Sequence, residues 1–342
     1  YQSRQVLAEG NADVKRAPAS LTKLMTAYIV EQQVDSGHIS YDAMVPISVA
    51  AWKTGGSRMF VQEGTQVKLS DLMQGLVVQS GNDAAMALAE YVAGSADAFA
   101  NMMNATAQKL GMTNSHFEDP TGLPSPNHYS TARDLSTLAW HIIHDYPDHY
   151  QLYKEKSFTY NNIKQPNRVL LLWRDPRVDG MKTGFTDDAG YCQVTSAIDN
   201  TGMRLITVVM GTKSLEARAV ESEKLLNYGF RFFQNYTAYQ AGKTLVSPRI
   251  WFGTTKQVDL GIQQDLTTTV PNGAQTNLKA DVQVNPNLKA PVKKGDQLGT
   301  VNLSLNGKII KSEPLVVLND VPQAGFFSRL WDHIVLFFSS VF

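Results

Sequence analysis

The chain has 342 residues, enough for about two domains. Its 43% hydrophobic and 18% charged content belongs to a folded globular protein and excludes a disordered one. Lys plus Arg and Asp plus Glu both number 31, and a zero formal net charge lacks the basic excess of a general nucleic-acid binder.

The chain opens abruptly at Tyr1-Gln2-Ser3 and continues through Val6 to Asp13 as a strand and turn entered partway. An upstream segment is therefore expected to have been removed. No signal-peptide pattern and no run of 18 apolar residues is present. Pro18 and Ser20 then stand where a helix should begin. Leu21, Leu24, Met25, Tyr28 and Ile29 recur at helical spacing, so this helix should bury one face. Ser20 and Lys23 share that helix start one turn apart. A hydroxyl beside the unpaired N–H groups of a helix start, with an amine one turn away, has the makings of a nucleophile and its base. The lysine would need its pKa lowered, by burial or by a second cation. Taken alone, the pair reads more readily as a helix N-cap and a solvated lysine.

Ala43 to Ile47 is strand-like, Lys53-Thr54-Gly55-Gly56 breaks the pattern, and Met59-Phe60-Val61 and Val67 to Leu69 resume it. Helical stretches follow at Leu69 to Val78, Asp83 to Tyr91 and Asp97 to Leu110. The first ends at Gln79-Ser80-Gly81-Asn82, the second at Gly94, and the third at Gly111, in a position that tolerates positive φ. Asn114 to Ser130 is turn-rich, and Leu135 to Ile143 is another helix.

From residue 150 the pattern becomes β-like. Phe158 to Tyr160 is a strand, and Val178 to Thr186 carries Lys182-Thr183-Gly184. Gly190 to Ala197 and Arg204 to Met210 form a hairpin across Asp199 to Gly202, followed by a helix from Leu215 to Tyr228 that ends at Gly229. The lone cysteine, Cys192, lies in this region and reads as a buried structural thiol. With one cysteine no intramolecular disulfide forms, as suits a cytosol or a bacterial periplasm.

Beyond about residue 235 the chain is nearly all β. Strands are expected at Thr244–Val246, Arg249–Phe252, Val258–Leu260, Leu266–Val270, Leu278–Val284, Gly299–Leu305 and Lys308–Leu318, with Asn306-Gly307 as a hairpin turn. Their spacing predicts a small β-sandwich. Phe326 to Phe338 is apolar but interrupted by Arg329, Asp332 and His333. It is too short and too charged to cross ~30 Å of hydrocarbon. It predicts an amphipathic helix in the membrane interface, with Trp331 and the phenylalanines inserted, or else a helix docked on the protein itself.

Three short motifs line up: Ser20-Leu21-Thr22-Lys23, Ser80-Gly81-Asn82 and Lys182-Thr183-Gly184. Each is weak alone; S-x-N recurs at Ser125-Pro126-Asn127 and Ser304-Leu305-Asn306, and K-T-G at Lys53-Thr54-Gly55. Ser20-Lys23 is the one S-x-x-K, Ser80-Gly81-Asn82 lies in a turn between two apolar helices, and Lys182-Thr183-Gly184 leads a pair of buried strands. In order and spacing the whole chain resembles the low-molecular-mass penicillin-binding proteins that are serine-type D-alanyl-D-alanine carboxypeptidases. Pro18 to Thr26, Gln79 to Ala85 and Val178 to Gly184 all look like that family's motif neighbourhoods.

The resemblance implies a fold and a site. The fold is an α/β (α+β) penicillin-binding domain, an antiparallel sheet flanked by helices, over residues 1–234. A β-rich domain follows at 235–321 and an amphipathic membrane-anchoring tail at 322–342. Ser20 would attack the penultimate D-Ala carbonyl of a peptidoglycan stem peptide, with Lys23 taking its proton. The backbone N–H groups of Ser20 and Phe185 would form the oxyanion hole. Ser80 would relay a proton to the leaving amine, Lys182 would keep the site positive, and Asn82 would bind the substrate amide and position Lys23. Thr183, Gly184, Phe185 and Arg168 would contact substrate, Thr183 and Arg168 at its terminal carboxylate. His128 would be a cleft contact or a loop hydrogen-bonder. β-Lactams would acylate Ser20. No cofactor or metal is called for, and no nucleic acid is a partner. The location would be a bacterial periplasm, at the outer face of the inner membrane, anchored through residues 326–342.

Phe185 stands where members often carry His after K-T-G, and Ala85 where they often carry Cys. Other readings are a class A β-lactamase, a D,D-endopeptidase and a non-catalytic wall-binding or shape module. A class A β-lactamase would need a Glu-x-x-x-Asn between Asp83 and Met181, and none occurs. His141, His144 and His149 have helical or near spacing but no converging acidic or cysteine ligands, so they predict a surface helix and not a metal site.

Overall fold

A computed structural model describes the backbone of residues 1–341 and the side chains of residues 1–336. It divides into two compact units, one of Tyr1 with Val6–Arg231, the other of Gln2–Gln5 with Phe232–Phe342.

The first unit runs α1 (Lys23–Asp35), β1 (Met44–Pro46), α2 (Val49–Lys53), β2 (Gln66–Lys68), α3 (Leu69–Gln74), α4 (Asn82–Ala93), α5 (Ala96–Lys109), α6 (Ala132–Asp145), β3 (Ser157–Tyr160), β4 (Ile163–Pro166), α7 (Leu171–Arg174), β5 (Val178–Thr186), β6 (Gly190–Ile198), β7 (Arg204–Thr212) and α8 (Leu215–Phe232). A 3₁₀ turn, Ala19–Thr22, leads into α1, and a π turn, Gly75–Gln79, extends α3. Side chains close the helix starts: Ser48, Ser95 and Thr131 accept from Ala51, Ala98 and Asp134 N–H. Gly94 and Gly111 end helices at φ +80° and +78°, as their positions predict.

β5, β6 and β7 form an antiparallel sheet with β5 at one edge. Its register pairs Lys182 with Val194, Gly184 with Cys192 and Phe185 with Tyr191. Two cores flank α1. One gathers Leu24, Met25 and Ile29 with Phe99, Met103, Leu138, Met181 and Val194. The other gathers Ala27 and Val30 with Val45, Leu72, Leu76, Ala84 and Leu88. Helix α1 was expected to bury one face, but Lys23 through Glu31 are all buried. A helix between two cores has no solvent face, and its first polar side chain is Lys23.

Three further expectations are corrected. Val6 to Asp13 forms no strand. Met59-Phe60-Val61 forms none either, because the Asp83 carboxylate takes all three N–H groups at 2.8–3.2 Å. Helix α8 runs past Gly229 to Phe232. Gly229 is buried within it, where a Cβ would lie 2.5 Å from Leu205 Cδ1, so the glycine serves close helix–sheet packing and not a helix stop.

The second unit holds β8 (Phe233–Tyr239), β9 (Leu260–Gly261), β10 (Leu266–Pro271), β11 (Leu278–Val284), β12 (Gln297–Leu305), β13 (Lys308–Val317) and α9 (Phe326–Val341). β11, β12, β13 and β9 form one antiparallel sheet in that order, and β8 pairs with β10. Ile250, Leu260, Leu266, Val301, Leu303, Leu315 and Val317 fill the core. Thr244–Val246 and Arg249–Phe252 contribute isolated bridges, not strands. Strand β8 was not foreseen. The side chains of Phe337 and Phe338, part of the expected apolar face of the tail, lie outside the described residues.

Helix propensity alone would make Gly229→Ala stabilising by roughly 1 kcal/mol. Packing against Leu205 reverses the sign: the variant should lose about 1–3 kcal/mol in urea unfolding, and Leu205→Ala in the same chain should recover part of it. A gain in stability for Gly229→Ala alone would show that Leu205 yields freely.

Candidate active site

Ser20 enters the site on a strained turn. Ala19 before it has φ 47°, a left-handed conformation a non-glycine residue rarely adopts. Leu21 and Leu24 are fully buried and pin the turn and the start of α1 in the core. Lys23 is 1% exposed, and its Nζ donates to Ser20 Oγ at 3.0 Å and to the Thr121 carbonyl at 2.6 Å. Burial lowers the Lys23 pKa to about 7; the Asp119 and Asp83 carboxylates oppose this and the Arg168 guanidinium assists it.

The Thr121 carbonyl is held in place by its own loop. Asp119 Oδ1 accepts from the N–H groups of Thr121 and Gly122 at 2.6 and 2.8 Å. Burial works against the Asp119 charge, yet hydrogen bonds from His128 and Thr121 hold its carboxyl at about 2. His128 is buried, with Nδ1 3.1 Å from Asp119 and Nε2 2.8 Å from Thr22 Oγ1. Both ring nitrogens thus tie the 119–122 loop to the Ser20 turn. Gly122 (φ +82°) lies so close to that turn that a Cβ would fall 1.8 Å from the Ala19 carbonyl oxygen.

Ser80 follows the π turn with φ 66°, the second left-handed non-glycine residue of the site. Asn82 opens α4; its N–H donates to the Ser57 carbonyl at 2.7 Å and its Nδ2 to the Gly55 carbonyl at 2.7 Å. Ser80 Oγ and Asn82 Oδ1 are buried without a hydrogen-bond partner among the described residues. Buried polar atoms are nearly always paired, so two orphans on one motif mark a place prepared for a ligand.

Lys182 comes from edge strand β5 and is 3% exposed. Burial, Lys23, Arg168 and Arg218 together push its pKa well below the ordinary lysine value. The guanidinium groups of Arg168 and Arg218 add to the positive charge around it. Gly184 allows β5 to reach the nucleophile's turn: a Cβ there would lie 2.9 Å from the Pro18 carbonyl oxygen and 3.2 Å from Ser20 N. Arg218, on α8, donates to the Gly184 carbonyl at 3.1 Å. Phe185 is 47% exposed and rests against Tyr191 at 4.3 Å between ring centroids. Arg168 is exposed and donates to Ser57 Oγ at 2.8 Å, which links it through residue 57 to Asn82.

Thr183 is buried between Lys182 and Gly184 on β5, so Ser20, Lys23, Ser80, Asn82, Lys182, Thr183, Gly184, Phe185, Arg168 and His128 all have defined places. The backbone puts Ser20, Lys23 and Gly184 side by side. Sequence reasoning missed Thr121, Asp119, Asp83, Ser57 and Arg218. Asp119-Pro120-Thr121-Gly122 was visible as a turn, but nothing in it announced a carbonyl for Lys23. Of the three histidines on or near α6, His141 faces Asp145 at 2.9 Å, His149 faces Glu31 at 3.1 Å, and His144 stacks on Trp140.

Residues 1–214 match the D-alanyl-D-alanine carboxypeptidase family, and residues 233–323 match the penicillin-binding protein 5 C-terminal domain. D-alanyl-D-alanine carboxypeptidase DacC of Escherichia coli K12 is 48% identical over 350 residues, covering 100% of this chain and 87% of that one. Penicillin-binding protein 5 of Haemophilus influenzae superposes with a TM-score of 0.88 at 44% identity, over 94% of this chain and 95% of that one. Penicillin-binding protein D2 of Listeria monocytogenes, solved in its ampicillin-bound form, superposes with a TM-score of 0.61 at 32% identity, over 66% of this chain and 92% of that one.

Gly122→Ala tests the loop-to-turn contact. An added methyl group would displace the Ala19 carbonyl or the 119–122 loop, and with it the Thr121 carbonyl on Lys23. Its acylation rate by benzylpenicillin should fall about a hundredfold or more, the scale of a misplacement of about 1 Å. A rate within a few fold of the parent would show that this contact does not position the amine.

Proposed function

We propose a residue-level mechanism from the premise that this chain belongs to the D-alanyl-D-alanine carboxypeptidase family. The chain is a serine-type D-alanyl-D-alanine carboxypeptidase that removes the terminal D-Ala of a peptidoglycan stem peptide. The observation that carries the mechanism is Lys23 Nζ, buried 3.0 Å from Ser20 Oγ with its pKa down at about 7.

Ser20 Oγ attacks the carbonyl of the penultimate D-Ala, and the neutral Lys23 amine accepts the hydroxyl proton. The tetrahedral oxyanion lies between the backbone N–H groups of Ser20 and Phe185, and Gly184 supports this pairing by letting β5 approach the Ser20 turn. Ser80 Oγ, buried without a partner, passes a proton to the leaving D-Ala nitrogen and takes in its place the one Lys23 accepted, which leaves Lys23 neutral again. Lys182 assists from β5 as the second amine of the site. Asn82 Oδ1, also without a partner, accepts from the substrate amide. Thr183 and Arg168 hold the terminal carboxylate, a guanidinium suiting that planar anion. Water then hydrolyses the ester, with Lys23 returning as base. His128 acts on Lys23 at one remove, through Asp119 and Thr121. β-Lactams acylate Ser20 by the first half of the same sequence.

The tail carries the second part of the proposal. No described helix is long and apolar enough to cross a membrane. On α9, Asp332 accepts from the Phe252 N–H at 2.8 Å and the His333 ring packs on the Phe252 ring at 4.5 Å. Phe326, Phe327, Leu330, Trp331 and Ile334 remain exposed. With its polar side docked on its own unit and its apolar side open, α9 is built to lie in a membrane interface. On this proposal the enzyme lies at the outer face of the bacterial inner membrane.

Incubation with benzylpenicillin should give a long-lived mass adduct on the Ser20 peptide that is absent in Ser20→Ala. The parent protein should release D-Ala from a diacyl-Lys-D-Ala-D-Ala peptide. An adduct lost within seconds would indicate a β-lactamase, and no adduct on folded protein would remove Ser20 as the nucleophile.

A further inference from the structure

The β unit carries an open cavity of about 520 Å³ lined by Arg249, Thr255, Lys256 and Gln257. We propose that this cavity is a phosphate site for the headgroup of an anionic membrane lipid. The proposal rests on the interfacial reading of α9 and adds to it a specific lipid contact.

The chemistry of the lining fits a compact oxyanion. Arg249 and Gln257 bridge the two arms of a tight turn, and Ile250 N–H donates to the Lys256 carbonyl at 3.0 Å. The two cations are thereby held on one short hairpin. The Arg249 guanidinium lies 3.7 Å from the Trp251 ring centroid, so the ring fixes its plane. Trp251 is fixed in turn, donating to the Leu288 carbonyl and accepting from Ala290 N–H, both at 2.8 Å. Asp332 forms an ion pair with Arg249 at 3.6 Å, too long for a hydrogen bond, so the guanidinium N–H donors are not taken up by that carboxylate. Lys256 has no acidic partner among the described residues. The Thr255 hydroxyl is already committed, donating to the Gln257 carbonyl at 2.8 Å. Guanidinium, ammonium and the Gln257 amide remain as donors toward one open space, a set that suits phosphate oxygens.

Position points to a lipid as the source. Asp332 and His333 of α9 dock on Phe252, three residues from Arg249. An interfacial helix sinks its apolar face about 5–10 Å into the headgroup–acyl boundary, so the surface docked on its polar side lies at headgroup depth. Charge agrees. The unit formed by residues 2–5 and 232–342 has eleven Lys and Arg against seven Asp and Glu, a net +4, whereas the rest of the chain has twenty against twenty-four, a net −4. The zero overall charge hides this division.

The test is co-sedimentation of the full chain with vesicles of phosphatidylcholine, alone or mixed with phosphatidylglycerol. The parent should bind the mixed vesicles more tightly, and Lys256→Gln should weaken that partition about fivefold, the worth of one basic residue near an anionic surface. Arg249→Gln should weaken it at least as much. Lys308→Gln is the charge control: it heads β13, whose far end, Val316–Val317, pairs with β9. It should leave the partition unchanged. An equal loss in Lys308→Gln would replace the site with diffuse attraction to net charge. No loss in Lys256→Gln or Arg249→Gln, with the parent still bound and Phe327→Ala/Trp331→Ala released, would overturn the site and keep the interfacial helix. A parent that binds neither vesicle would end both readings. Full competition by inorganic phosphate, without any preference for phosphatidylglycerol, would assign the cavity to free phosphate and reject the lipid.

Discussion

A primary amine buried beside a hydroxyl is the interaction on which the rest of the catalytic unit depends. An ammonium taken out of water carries a large solvation penalty, and a lysine relieves it by giving up its proton. Lys23 can be buried because α1 runs between two cores and because one carbonyl, that of Thr121, accepts from it. The features around it follow. The 119–122 loop must be rigid to present that carbonyl, hence the Asp119 carboxylate folded onto its N–H groups and the His128 ring bridging to Thr22. A nucleophile within 3.0 Å of a neutral amine is the product of that packing.

The three motifs meet at positions where the backbone is under strain or pressed close. Ala19 and Ser80 hold left-handed φ values without being glycine, which costs of order 1–3 kcal/mol each. Gly184 and Gly122 accept approaches that no other residue could. Asp83 has a related role: its carboxylate captures residues 59–61 and fixes the start of α4, where Asn82 stands. Lys23, Lys182, Arg168 and Arg218 crowd one region with positive charge. The guanidinium groups keep theirs, and both amines are driven toward neutrality.

Much of this was legible in the sequence. S-x-x-K, S-x-N and K-T-G identify the nucleophile, its base and the edge strand because each motif is local: its residues are neighbours on one turn or one strand. Helices α4 and α5 follow from apolar period and the glycine stops Gly94 and Gly111, and α6 from apolar period. What escaped is contact between segments far apart in the chain. The Thr121 carbonyl lies 98 residues from the lysine it serves, and a carbonyl has no residue signature. Arg218 is one charge among many on α8. Met59 to Val61 has a strand's composition but lost its N–H groups to Asp83, 24 residues away from the first of them. Gly229 looked like a helix stop because sequence cannot show Leu205 packed against it.

The central claim is that burial makes Lys23 a neutral base at ordinary pH. The direct measurement is the rate of Ser20 acylation by benzylpenicillin as a function of pH. A base with a pKa of about 7 predicts a rate that falls tenfold per unit below that value and levels off above it. A rate still climbing toward pH ~10, the value of an unburied lysine, would contradict the account, as would a rate flat across the whole range.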